Sequence, residues 1–137
     1  MKIKLDENAY MPERAHKTDA GLDIRSIEYG NIPPHSSHSF HTGVHIKLPE
    51  STAGIFMSKS GLNVKHNITS TGLIDEGYNG ELIVKLYNHG DTAYEVNPGD
   101  KITQLIIVPV LYESVEVVED LEQDSDRGSD GFGSTGK

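Results

Sequence analysis

Cysteine is absent from the 137 residues, which removes disulfides and thiolate metal sites and leaves a reducing cytoplasm as the expected setting. Long apolar runs are missing too. The opening MKIKLDENAY lacks the hydrophobic stretch of a signal peptide, and no segment approaches the length of a membrane span. A soluble cytoplasmic protein of one-domain size is expected, with no membrane partner. Basic residues are few, 12 Lys and Arg against 21 Asp and Glu, for a net charge of −9. Without a basic stripe the chain is not expected to bind nucleic acid, whose backbone would require one. A small anion held by backbone amides and a few placed cations stays open. The segment ESVEVVEDLEQDSD (113–126) has seven acids and no base, so the body is close to neutral.

Internal repeats are also lacking, as is any helix-length window with apolar residues at three-and-four spacing. Period-two segments recur instead: KIKL, LDIR, SFHTGVHIKL, AGIFM, ELIVKLY, KITQLIIVPV and SVEVV, separated by turn formers such as YGNIPPHSS, GYNG, NHGD and NPGD. This is the pattern of an all-β barrel or sandwich, with one weak helical turn at SGLNVKH. From Ser125 onward the chain has four glycines and no aliphatic residue, which supplies no buried face. The expected organisation is a β domain over 1–124 and a flexible glycine-rich arm over 125–137. The closing GFGSTGK has the letters of a phosphate-binding P-loop, but no strand precedes it and no helix or metal-binding hydroxyl follows Lys137, so that reading fails.

Three stretches present chemistry. In TGLIDEGYNGELIVKLY (71–87), Asp75 falls at a strand end beside Asn79-Gly80, a strong tight-hairpin signal. An acid so placed suits a general base, and equally a turn cap. In MSKSGLN (57–63), Lys59, Ser60 and the freed amide of Gly61 would form an anion nest, or simply an N-cap Ser beside a solvated Lys. Ser60 lacks the glycine-flanked elbow of an acyl-hydrolase nucleophile. The histidines at 38, 41 and 45 suggest metal, yet on one continuous strand His41 and His45 share a face with Lys47 and oppose Phe40, Val44, Ile46 and Leu48. That is a wet outer face, and no protein-only metal site is expected. Phe132, a lone aromatic among glycines, suits a lid that stacks on a ligand.

In order, AGLDIRS (20–26), SKSGL (58–62), GLIDEGYNGEL (72–82), GDKITQL (99–105) and RGSDGFGSTG (127–136) closely resemble the motifs of the trimeric all-β deoxyuridine triphosphatase (dUTPase) family. Each is weak alone, and five in order are specific. The resemblance implies a distorted jelly-roll or β-barrel and hydrolysis of dUTP to dUMP and pyrophosphate by water attack on the α-phosphorus. Mg2+ would be the cofactor, held through substrate phosphates and waters with no direct protein ligand. Asp75 matches the catalytic aspartate. Uracil and deoxyribose would be met by Gly72, Leu73, Ile74 and Tyr78, with Phe132 over the ring. Lys59, Ser60, Gly61, Gln104, Arg127, Ser134 and Thr135 fall where the family contacts phosphate. Asp23 and Arg25 match the supporting first motif.

The resemblance further implies a homotrimer whose sites are shared between subunits, with the acidic run as connector. Lys59 stands where the family usually has Arg, exchanging a two-bond fork for a point charge; Asn63 and Asn79 also depart from common choices. Two alternatives remain: a catalytically idle dUTP-binding regulatory protein, and a deoxycytidine triphosphate deaminase, which would be expected to lack the Phe-containing arm.

Overall fold

A computed structural model describes residues 1–121. Arg127, Phe132, Ser134 and Thr135, and the arm to which they were assigned, lie outside the described residues. In chain order the elements are β1 (Lys2–Leu5), β2 (Leu22–Arg25), β3 (Gly30–Ile32), β4 (Ser37–Phe40), β5 (Val44–Lys47), β6 (Thr52–Met57), α1 (Ser60–His66), β7 (Ile68–Ile74), β8 (Val84–Asn88), β9 (Tyr94–Val96) and β10 (Lys101–Pro109). Six strands form one antiparallel sheet in the order β2-β10-β6-β7-β8-β4, and the pairs β1-β5 and β3-β9 close over it. The result is the all-β architecture that the period-two patterning calls for, in the distorted jelly-roll form that the family resemblance implies.

Alternation places the core. Along β8, Val84 and Leu86 are buried while Lys85 faces solvent. They meet Phe40, Ile24, Ile32, Ile68, Ile102 and Leu105 in one apolar cluster between the sheets. Asn88 ends β8 inside this cluster without an orphaned polar atom. Its amide donates to the carbonyls of Ile32 at 3.0 Å and Thr92 at 2.8 Å, and its oxygen accepts from Gly90 N–H at 2.9 Å. Asn88→Ala strands those groups and should lower the unfolding free energy by about 1–3 kcal/mol, measured as a shifted urea midpoint at unchanged slope.

Five local expectations are revised. The stretch 39–48 is two strands rather than one: Gly43 takes φ +64, the amides of Thr42 and Gly43 turn toward the Glu81 carboxylate, and β4 and β5 join different sheets. His41 and His45 therefore do not share a simple wet face; each holds an acid, Glu81 and Asp6 respectively, at 2.8 Å. SVEVV forms no strand, because a strand needs a partner and none is present among the described residues. Val115 and Val117 are each 95% exposed. Asn79-Gly80 is not a two-residue hairpin, since β7 and β8 pair only over Ile68↔Asn88, Thr69↔Tyr87 and Ser70↔Leu86, and a longer connection, 75–83, joins them. The weak helical turn is a helix, α1, with Lys59 rather than Ser60 at its N-cap.

Candidate active site

The connection 75–83 is shaped by where the strands separate. Beyond Ser70, β8 leaves β7, while β7 stays paired with β6 through Met57↔Thr71, Phe56↔Gly72, Ile55↔Leu73 and Gly54↔Ile74. Among the described residues one main-chain edge of Thr71–Ile74 thus has no neighbouring strand, and it faces a cleft of ≈ 250 Å³ lined by Phe56, Thr71, Gly72, Leu73, Ile74, Asp75, Tyr78, Ile83 and Lys85. Backbone N–H and C=O groups along a free edge are obligatory donors and acceptors awaiting a partner. Gly72 keeps the strand thin, for a Cβ there would stand 3.0 Å from the Phe56 ring.

Asp75 follows directly on β7 and begins a turn closed by Tyr78 N–H to its carbonyl at 3.0 Å. Among the described residues no hydrogen bond or ion pair engages its carboxylate. The neighbouring acids differ. Glu76 accepts from Ser51 N–H at 2.9 Å and from the Tyr112 hydroxyl at 2.7 Å, and Glu81 is bound to the 41–43 turn. Both flanks of the loop are fixed and Asp75 is left available at the cleft. Tyr78 folds back so that its hydroxyl donates to the Glu81 carbonyl at 2.8 Å, which orients an otherwise half-exposed ring. A Cβ at Gly80 would stand within 2.4 Å of that hydroxyl, so a larger residue there would push the ring from this position.

A second cleft, ≈ 440 Å³, is lined by Ala15, Asp19, Ala20, Gly21, Asp23, Met57, Lys59, Gln104 and Ile106. Asp23 and Gln104 are cross-strand partners, as are Gln104 and Met57. The Gln104 amide donates to the Ser58 carbonyl at 3.1 Å, and Gly21 leaves it room, since a Cβ would come within 2.7 Å of its side-chain oxygen. Lys59 bonds to Asp23, whose other oxygen takes Lys101 at 2.6 Å. Burial opposes ionisation of Asp23, but Lys101 and Lys59 prevail and hold its carboxyl below the usual range. Arg25 is committed to structure, donating to the Gly99 carbonyl at 2.7 Å and pairing with Glu13 at 3.2 Å. Ser60 and Gly61 open α1 beside this cleft, and a Cβ at Gly61 would meet nothing within 4 Å.

The candidate residues thus fall into two groups within one chain. Gly72, Leu73, Ile74, Asp75 and Tyr78 share the first cleft; Asp23, Lys59 and Gln104 share the second, and no lining residue is common to both. Sequence reasoning missed Lys85 on the rim of the first cleft and Lys101 on Asp23. Both stand on solvent-side positions of alternating strands, where a lysine carries no signal. It also missed the contact of Glu81 with His41, a residue it had read as part of a wet outer face; the two are brought together by the β4–β5 turn.

The chain is thus an all-β protein with a strand edge left unpaired among the described residues, an available carboxylate beside it and a second cleft that bears a cation. Comparison with known proteins narrows the class. The sequence model of the dUTPase family matches residues 7–136. A deoxyuridine 5'-triphosphate nucleotidohydrolase of Gloeothece citriformis (strain PCC 7424) is 46% identical over 136 residues, spanning 97% of this chain and 93% of the relative. One from Clostridioides difficile is 45% identical over 136 residues, spanning 97% and 94%. Among solved structures, the Staphylococcus bacteriophage 80alpha dUTPase with dUPNHPP superimposes with a TM-score of 0.92 at 34% identity, covering 99% of this chain and 98% of that one. A mutant dUTPase from phage phi11 of S. aureus, described with a coordinated structural Mg(II) ion, gives 0.82 at 34% identity over 88% and 97%. The chain belongs to the dUTPase family.

Proposed function

We propose that this protein hydrolyses dUTP to dUMP and pyrophosphate, with Asp75 as the base that orients and deprotonates the attacking water. The observation that carries the reading is that, among the described residues, an unengaged carboxylate stands beside an unpaired main-chain edge, Thr71–Ile74. Uracil presents O4, N3–H and O2 along one side, an acceptor-donor-acceptor row, and a free strand edge presents the complementary N–H and C=O groups without a base-specific side chain. Gly72, Leu73 and Ile74 supply that edge, and the Tyr78 ring stands where the sugar follows the base. Lys59, Ser60, Gly61 and Gln104 form the phosphate end. The amides at the start of α1 have no acceptor within the helix, and Lys59 exchanges its Asp23 partner for phosphate oxygens when the triphosphate arrives. Asp23 and Arg25 hold the cleft wall. Arg127, Ser134, Thr135 and Phe132 complete phosphate and uracil contacts by analogy with the family.

Mg2+ is the cofactor. Among the described residues no group of three or more His, Asp and Glu is placed to hold a metal ion, and Asp23 is occupied by two lysines. These residues fit an ion whose oxygen donors come from triphosphate and water. Bound there, Mg2+ neutralises charge on the phosphates.

We further propose a homotrimer with shared sites. The uracil cleft and the phosphate cleft are separate within one chain, and the segment after β10 leaves Leu111, Val115, Val117 and Leu121 in solvent. Apolar residues in that number are normally covered by another surface. A second copy that brings its phosphate cleft to this chain's hairpin would complete the site and bury them together.

The first test is pyrophosphate release from dUTP with Mg2+, with dCTP as control. Release of pyrophosphate from dUTP is expected. Binding without release would make the chain a regulatory protein, and deamination of dCTP a different enzyme. A sharper check is Tyr78→Ala, which removes the wall at the 2′ position and should cost about 1–3 kcal/mol of selectivity for dUTP over UTP. An unchanged ratio of kcat/KM values would place the gate elsewhere.

A further inference from the structure

Glu81 lies between the Asp75 turn and β8, and the proposed reaction makes no use of its carboxylate. The side chain is nonetheless turned inward and fully engaged. One oxygen accepts from the N–H of Gly43 at 2.8 Å and of Thr42 at 3.1 Å, and the other lies 2.8 Å from Nδ1 of His41. Burial opposes its ionisation, yet the His41 hydrogen bond and the two amides prevail and hold the carboxyl below its usual range. Its main-chain carbonyl, in turn, receives the Tyr78 hydroxyl at 2.8 Å. Two neighbouring bonds tighten the joint: Leu82 N–H to the Val44 carbonyl at 2.8 Å, and the Thr42 hydroxyl to the Leu82 carbonyl at 2.5 Å.

The atom that fixes the Tyr78 ring therefore belongs to a residue whose own side chain is fastened to the β4–β5 turn. That turn is anchored and admits only glycine at its centre: Gly43 sits at φ +64 with Ala9 2.8 Å from where its Cβ would stand, and its carbonyl accepts Asp6 N–H at 2.8 Å. We infer that Glu81 is a positioning residue for sugar specificity: by locking its main chain to the 41–43 turn it sets where Tyr78 stands, and so the width of the pocket for a 2′-deoxyribose against a ribose, without touching substrate. This rests on the reading of the first cleft as the nucleoside site. Energetically the clasp is built to matter, since a partly buried carboxylate with three partners cannot lose its charge without leaving donors unmatched.

The experiment compares wild type, Glu81→Gln, Tyr78→Phe and the double variant, reading dissociation constants for dUMP and UMP by calorimetry alongside kcat/KM for dUTP and UTP. Tyr78→Phe keeps the wall and removes only its tether. Each single variant should lower the dUMP preference about tenfold, and the double variant should fall no further than the larger single effect, because both act through one contact. His41→Ala, at an exposed side chain, should move the preference the same way by less, and its cycle with Tyr78→Phe reads the same coupling should Glu81→Gln fail to fold. An unchanged preference in the Glu81 or His41 variant, with only thermal stability reduced, would overturn the inference, as would effects that multiply. Because dUMP binding needs no turnover, a wild type that prefers dUMP but leaves dUTP intact would refute the activity while the variants still decide the role of Glu81.

Discussion

Asp75→Asn is expected to bind dUTP with near-normal affinity and to turn it over at least ~10²-fold more slowly. The amide has the size of the carboxylate but cannot accept a proton from water. The loop should survive the change, because its closing bond uses the Asp75 carbonyl, not its side chain, and its flanks are held through Glu76 and Glu81. The open edge of Thr71–Ile74 and the Tyr78 ring stay in place, so ground-state contacts persist while the chemical step slows. Single-turnover rates and equilibrium binding of dUTP to the purified variant separate the two quantities. Near-normal turnover would remove Asp75 from the reaction, and lost binding would make it a structural residue.

A chain truncated after Asp126 should likewise be nearly inactive, since it lacks Arg127, Phe132, Ser134 and Thr135. Mixing it with full-length Asp75→Asn tests the shared site directly. If the hairpin comes from one chain and the closing segment from another, co-refolded mixtures of two dead variants recover activity. Random assembly of equal amounts in a closed cyclic trimer puts an intact Asp75 opposite an intact closing segment in about a quarter of sites. A site completed within one chain predicts no recovery. Size-exclusion chromatography should first confirm that hybrid assemblies form, because failure to exchange subunits imitates a negative result. Hybrids without turnover would end the shared-site reading.

Strand positions were legible wherever one face is buried. LDIR, AGIFM and KITQLIIVPV are strands because apolar alternation specifies both the element and its register. Legibility failed where a strand's fate depends on a distant partner. SVEVV alternates as well as any of these and forms nothing, since alternation promises a face to bury but does not supply the surface that buries it. SFHTGVHIKL was read as continuous because its periodicity runs unbroken through Gly43, and the break falls where Gly43 takes a positive φ and the 42–43 amides bond to Glu81, far along the chain.

The sequence by itself determined that this is an all-β protein of the dUTPase family, because alternating apolar residues, turn formers and five short motifs are local properties of the chain. It also brought Asp75 to notice, as an acid at a strand end. Only the tertiary structure decided that this acid lacks a partner among the described residues, that Thr71–Ile74 keeps an edge unpaired among them, and that Lys59 rests on Asp23. Those are statements about which groups are paired and which remain unpaired after folding, and pairing between residues far apart in sequence is settled by packing, not by local composition.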